Sequence, residues 1–218
     1  MYKKKPFFIV FEGVEGCGKS YQSKKLFLRL RKNKVPTVLT REPGGTKSAE
    51  LIRDLILKDY FKKSKEEKFD KYTDTLLYLA ARNEHVKNKI KPELDKKKVV
   101  ICDRFVDSTL AYQVFGKKVS LNFIKNIQKV ILGDLKPNIT FILKVSPKSS
   151  KKRLRKRKSK NRYDNFPQKF YNKAQNSFLK IAKRKKNYFI LDSSNDDNFL
   201  ENRIFGIISK YLNIKTND

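Results

Sequence analysis

With 218 residues, 39% of them hydrophobic, the chain can bury one sizeable core but is short for two, which predicts a single domain over 1–218. No apolar run approaches the ~18 residues of a membrane span, and the lysines at 3–5 lead straight into an apolar run rather than a targeting leader, so no membrane association and a cytoplasmic location are expected. The net charge of +31 at pH 7 attracts polyanions, but lysine is spread along nearly every segment together with Asn, Ile and Phe, a chain-wide bias that argues against specific nucleic-acid binding.

The first apolar run, 7–11, reads as a strand. It is followed at once by Gly13-Val14-Glu15-Gly16-Cys17-Gly18-Lys19-Ser20, the G-x-x-x-x-G-K-[ST] phosphate-binding loop. Its glycines let the backbone turn N–H groups inward on a β-phosphate, and the helix expected at 18–33 adds its positive end. In such a loop Lys19 reaches the β- and γ-phosphates and the Ser20 hydroxyl sits on Mg²⁺, which points to a purine nucleoside triphosphate as ligand.

Further strand-like runs at 35–39, 99–102, 139–145 and 188–191 alternate with helical spacing at about 46–57, 70–95, 120–132, 147–158, 164–185 and 197–211. The alternation calls for right-handed crossovers and hence an α/β chain: a three-layer α/β/α P-loop NTPase fold with a five-stranded parallel sheet and ligands at the carboxyl ends of the strands. The mixed Lys/Glu segment at 58–68 reads as an exposed loop. Cys17 and Cys102 have neither metal-ligand spacing nor disulfide density and are read as reduced thiols. The run ending at Asp103 places a carboxylate where phosphate-loop enzymes hold Mg²⁺, although a strand-end Asp also serves as a turn former or cap. Arg104 beside it adds a cation for phosphate, and the two together suit phosphoryl transfer. Nine of the twelve residues at 151–162 are basic, a density that needs an anionic partner.

Four segments carry a specific resemblance. Asp103-Arg104-Phe105-Val106-Asp107-Ser108-Thr109-Leu110-Ala111-Tyr112-Gln113 resembles the D-R-[YFH]-x-x-S-x-x-A-Y-Q signature of thymidylate kinases. Arg41-Glu42-Pro43-Gly44-Gly45-Thr46 is similar to that family's R-E-P-G-G-T turn, Leu76 to Arg82 to its L-L-F-x-A-x-R helix, and Glu15 supplies the acid of its phosphate loop. The resemblance implies ATP and dTMP as substrates, Mg²⁺ as cofactor and a homodimer. It implies that Arg41, Pro43 and Arg104 hold the acceptor, that Tyr78 lies against thymine and that Arg82 donates to its O4. Tyr78 and Arg82, four apart on a helix, share one face. Thr109 and Gln113 would read the imide edge, Tyr112 would crowd the ribose 2′ position, and Ser108 and Glu15 would contact the sugar and phosphate.

The basic stretch then reads as a lid, approximately 147–164, that excludes water and supplies cations during transfer. Arg153 and Arg157 match the family's lid arginines and Arg162 the arginine of its D-R-x-E element. The phosphate loop has no arginine at its variable positions, which resembles the bacterial subtype with catalytic arginines in the lid. Two positions depart from the family: the D-R-x-E element is Asn161-Arg162-Tyr163-Asp164, and Val114 stands where glycine often follows A-Y-Q. His85, the only histidine, is expected at a surface or interface. Two alternatives stay open: a kinase of another nucleoside or monophosphate, and a nucleotide-switched nucleic-acid-binding protein.

Overall fold

The computed structural model describes residues 5–58, 68–156, 167–183, 185–195 and 198–214. Strands β1 (Phe7–Glu12), β2 (Thr37–Arg41), β3 (Val99–Asp103), β4 (Ile139–Lys144) and β5 (Tyr188–Asp192) form one parallel sheet in the order β2-β3-β1-β4-β5. The helices are α1 (Lys19–Lys32), α2 (Lys47–Leu57), α3 (Lys71–His85), α4 (Lys91–Asp95), α5 (Val106–Thr109), α6 (Leu121–Leu132), α7 (Pro147–Arg155), α8 (Gln168–Ala182) and α9 (Phe199–Leu212). This is the expected P-loop NTPase fold, with helices on both faces of the sheet.

All six residues of β1 are buried, as a central parallel strand requires. Successive side chains point to opposite faces. Phe7, Ile9 and Phe11 pack with Leu26 and Leu30 of α1 and Ile204 and Ile208 of α9. Phe8 and Val10 pack with Val86, Ile90 and Phe105. Each of these large side chains contributes about 1.5–3 kcal/mol over leaving it exposed.

Several element ends shift by a few residues, and three differences from expectation bear on the site. β2 begins at Thr37 rather than at 35, because Val35 still closes α1 by donating its N–H to Leu30 O, 3.0 Å away, and Arg41 thereby becomes the strand's last residue. The helix expected over 70–95 is interrupted by a π-helical turn, Val86–Ile90, and Pro92, which has no N–H to donate, stands at the start of α4. The signature after β3, expected only as a motif, is helical: α5 continues into a π-helical stretch, Leu110–Gly116. The segment 59–67, most of the expected loop at 58–68, lies outside the described residues.

The phosphate loop fits between β1 and its neighbours only because of its glycines. At Gly13 (φ 142°) an added Cβ would lie 2.6 Å from Leu143 O and 2.8 Å from Cys17 Sγ. At Gly16 (φ 71°) it would meet Ser150 O of α7 at 2.8 Å, so α7 sits directly on the loop.

Candidate active site

A cavity of about 520 Å³ opens at the carboxyl ends of β1, β2 and β3. Glu15, Lys19 and Ser20 come from the phosphate loop, Arg41 and Pro43 from the end of β2, and Tyr78 and Arg82 from α3. Asp103 ends β3, Arg104, Ser108, Thr109, Tyr112 and Gln113 follow it, and Arg153 comes from α7. These are sequence-predicted site residues from five separate segments.

On the loop side, Lys19 Nζ donates to Val14 O at 2.8 Å and lies 3.5 Å from Cys17 Sγ. The Ser20 hydroxyl donates to Asp103 Oδ2, while Asp103 Oδ1 is buried with no hydrogen-bond partner among the described residues. A hydroxyl beside an orphaned carboxylate oxygen is the oxygen-only donor set that a hard divalent cation takes, so these residues fit one. Among the described residues no group of three or more His, Cys, Asp or Glu side chains is placed to bind a metal, and both cysteines are free and buried.

Arg104 crosses from β3 to the loop. Its NH1 donates to Gly13 O at 3.0 Å and Ser108 Oγ at 3.1 Å, and its NH2 to Glu15 Oε1 at 2.8 Å. The other Glu15 oxygen accepts from the Tyr112 hydroxyl at 2.7 Å. An acid inside a phosphate loop is electrostatically costly, and here a guanidinium and a phenol hold it. Burial and the Glu15 carboxylate push the Tyr112 phenol well above its ordinary range, so it stays a donor.

Arg82 is almost fully buried and held at three nitrogens: Nε donates to Glu42 Oε2 (2.8 Å), NH1 to Thr109 Oγ1 (2.8 Å) and NH2 to Phe105 O (2.9 Å). The Thr109 hydroxyl is therefore engaged with Arg82. Burial raises the Glu42 pKa, but the Arg82 guanidinium and the His85 ring outweigh it and hold the acid below its ordinary value.

His85 corrects the surface expectation. It is fully buried, with Nδ1 3.1 Å from Glu42 Oε1 and Nε2 2.6 Å from Thr40 Oγ1. It lies one turn beyond Arg82, on the inward face of α3, and a Cβ on Gly45 would lie 2.5 Å from its Nε2. The turn after β2 is thus wrapped around this ring. Only contacts across the sheet edge could reveal that.

Among the described residues Arg41 is the most open of the predicted cations, its side chain 55% exposed and paired with Glu50 at 3.1 Å. Arg53 of α2 was not singled out from sequence, yet it lines the cavity, donates to Pro43 O at 2.6 Å and approaches Glu50 at 3.9 Å. Its helix carries no motif that marks it. Glu12 was missed as well, though the signal used for Asp103, an acid closing an apolar run, was present.

Arg153 stands between this cavity and a second one of about 380 Å³ lined by Cys17, Gly18, Tyr21, Gln22, Ser193 and Asn195, among others. Its NH1 donates to Gly16 O at 3.1 Å and its NH2 to Ser193 O at 2.7 Å. Arg157, Arg162 and the altered element at 161–164 lie outside the described residues, as does the rest of the expected lid beyond Lys156. No described helix is long and apolar enough to cross a membrane.

The thymidylate kinase family model matches residues 11–204. A thymidylate kinase of Aster yellows witches'-broom phytoplasma is 39% identical over 209 residues, 94% of this chain and 96% of that protein. One from Wolbachia pipientis wMel is 43% identical over 180 residues, 80% of this chain and 84% of that protein. The crystal structure of thymidylate kinase from Ehrlichia chaffeensis superposes with a TM-score of 0.72 at 31% identity, covering 94% of this chain and 99% of that one. With the family model matched over most of its length and these relatives 39% and 43% identical to it, the chain belongs to the thymidylate kinase family.

Proposed function

We propose that this chain transfers the γ-phosphoryl group of ATP to dTMP, giving ADP and dTDP for dTTP synthesis. The observation that carries this reading is Arg82, clamped at three nitrogens beside Tyr78 in the cavity wall. A guanidinium has five N–H groups, so one on each terminal nitrogen remains beyond the three bonds described. Those donors suit thymine O4 and refuse the exocyclic amine that cytosine carries there. Tyr78 supplies a face for the ring, Gln113 lies within reach of the imide edge, and Tyr112 stands where a ribose 2′-hydroxyl would crowd it.

Arg104, with Arg41 and Arg53, takes the acceptor phosphate, where planar forked donors match a dianion. Pro43 and Ser108 complete that wall, and Glu15 faces the sugar and phosphate. The amides of Gly13, Val14, Gly16, Cys17 and Gly18 cradle the donor phosphates together with Lys19. An acceptor phosphate oxygen, already anionic, bonds to the γ-phosphorus as the bond to the β,γ-bridging oxygen breaks and ADP leaves, so no histidine base is needed. Ser20 and Asp103 would hold Mg²⁺, which when bound supplies positive charge at the donor phosphates. Arg153 and Arg157 bridge the transferring group as the lid shuts, as in the subtype with lid arginines.

The chain works as a single cytoplasmic domain and as a homodimer. Leu51 and Leu55 of α2 and Leu76 of α3 are 73%, 44% and 45% exposed, an apolar row that a second copy would cover. ADP release from Mg·ATP with dTMP, dUMP, UMP, dCMP, AMP, GMP and thymidine offered separately tests the assignment. Fast release with dTMP, with dUMP at most a weaker second, is expected. A different best acceptor overturns the base-reading roles, and acceptor-independent turnover overturns the kinase reading.

A further inference from the structure

We propose that Glu12 is the positioning residue of the acceptor-phosphate arginine: its carboxylate registers Arg104 against the phosphate loop. The inference rests on the reading of this cleft as an acceptor-phosphate site, but on the phosphate rather than on the base.

Glu12 is the last residue of β1, immediately before the phosphate loop, and is fully buried. Its Oε1 accepts from the backbone N–H of Phe105 at 2.8 Å and of Ser108 at 3.0 Å, and its Oε2 from the Ser108 hydroxyl at 2.6 Å. One side chain thereby anchors both ends of the turn that follows β3. Arg104 stands at the start of that turn in the left-handed region, φ 73°. A bulky residue holds that conformation only when its surroundings over-determine it. Here they do: the Arg104 N–H donates to Phe11 O at 2.9 Å, and the next N–H along the chain, that of Phe105, is taken by Glu12. Two successive residues of β1 thus grip the backbone on either side of Arg104. The left-handed turn carries its guanidinium back over the loop to Gly13 O and Glu15.

The hydrogen bonds also run in one direction. Arg104 NH1 donates to Ser108 Oγ, and Ser108 Oγ donates to Glu12 Oε2. Only an acceptor at the end of this relay fits it. A glutamine amide could keep the two backbone N–H bonds with its oxygen, but its NH₂ would then face the Ser108 hydroxyl, whose proton would have to turn away. Flipped, the NH₂ would face two backbone donors. Either way the relay breaks while the volume is unchanged. Burial and the nearby Asp107 carboxylate make the charge costly, the Arg104 guanidinium favours it, and the field of Glu12 in turn reaches Tyr188 and Cys102.

The test is a double-mutant cycle on dTMP binding, measured calorimetrically without ATP, for wild type, Glu12→Gln, Ser108→Ala and the double variant, with ATP binding by each as the control for folding and for the loop. Glu12→Gln is expected to weaken dTMP binding about fivefold, leave ATP binding within about twofold, and have less than about a twofold effect once Ser108 is alanine, because the relay it interrupts is then already absent. Unchanged dTMP binding in Glu12→Gln, an equal loss for ATP, or the same loss in both backgrounds would overturn the proposal. If wild type binds another monophosphate instead of dTMP, the base assignment fails. The same cycle run on that monophosphate still decides the role of Glu12.

Discussion

On the proposed acceptor side of the cleft the cations are already matched to carboxylates: Arg104 to Glu15, Arg82 to Glu42, and Arg41 and Arg53 to Glu50. On the proposed donor side Lys19 meets a backbone carbonyl instead, that of Val14, and Arg153 donates to the carbonyls of Gly16 and Ser193. A carbonyl is a dipole and leaves the cation's net charge in place, whereas a carboxylate cancels it and fixes its direction. The acceptor wall is therefore preorganised and nearly neutral. Lys19, held by a carbonyl, keeps its positive charge for a polyphosphate, and Asp103 Oδ1 keeps its lone pairs for a cation.

The hardest blow to this contrast should come from Arg104→Ala, which removes the guanidinium and leaves Glu15 facing the incoming phosphate. The KM for dTMP should rise about 100-fold, two charge-assisted bonds at about 1.5–3 kcal/mol each being at stake, with the KM for ATP little changed. Steady-state kinetics with each substrate varied in turn checks it. A comparable rise for ATP would mean that the two walls are not separable. Arg153→Ala should do the reverse, lowering kcat about tenfold while the dTMP KM stays within about twofold. If the dTMP KM moved more than kcat, Arg153 would belong to the acceptor wall.

His85→Ala sharpens the preorganisation claim, because no direct substrate contact is assigned to His85. It leaves Glu42 Oε1 without its partner and opens a hole beneath Gly45. A stability loss of about 1–3 kcal/mol follows, or a Tm lower by several degrees in calorimetry. With Arg82 less firmly held, the preference for dTMP over dCMP should narrow. An unaltered preference in a destabilised variant would reduce the histidine to a packing role.

The smallest effect concerns pH. Glu12 is pushed up to about 7, by burial first and by the Asp107 carboxylate second, whereas in the unfolded chain it titrates near 4.5. Between those values the folded state binds more protons than the unfolded one, so this group's contribution to stability falls as pH rises and reaches its full cost above about 7. Glutamine does not titrate. The Tm of Glu12→Gln relative to wild type should therefore climb between about pH 5 and pH 8. A difference that stayed flat or fell would show that Glu12 ionises in the folded protein as readily as in the unfolded chain.

The sheet, its parallel sense and the placement of the site at strand ends were all legible in the sequence. Alternating apolar runs and helical spacing report burial directly, and a phosphate loop between a strand and a helix has one architectural meaning. Of the residues expected around the cleft, those described that line it were legible too, because glycine spacing, the Asp-Arg pair and the i, i+4 pairs are local patterns. Tertiary structure alone decided the partners. Glu12, Glu42 and His85 occur in runs whose spacing says only that they adjoin a core, and what they hold lies 40 to 96 residues away in the chain. A lone histidine among polar neighbours reads as surface until the turn after β2 is seen closed around it. Arg53 looks like any helical cation until Pro43 O is found 2.6 Å from it. Covalent neighbours set the local conformation and hence the motifs. The energetic balance of a buried charge depends on which distant carbonyl, hydroxyl or carboxylate meets it, and only the packed sheet brings those together.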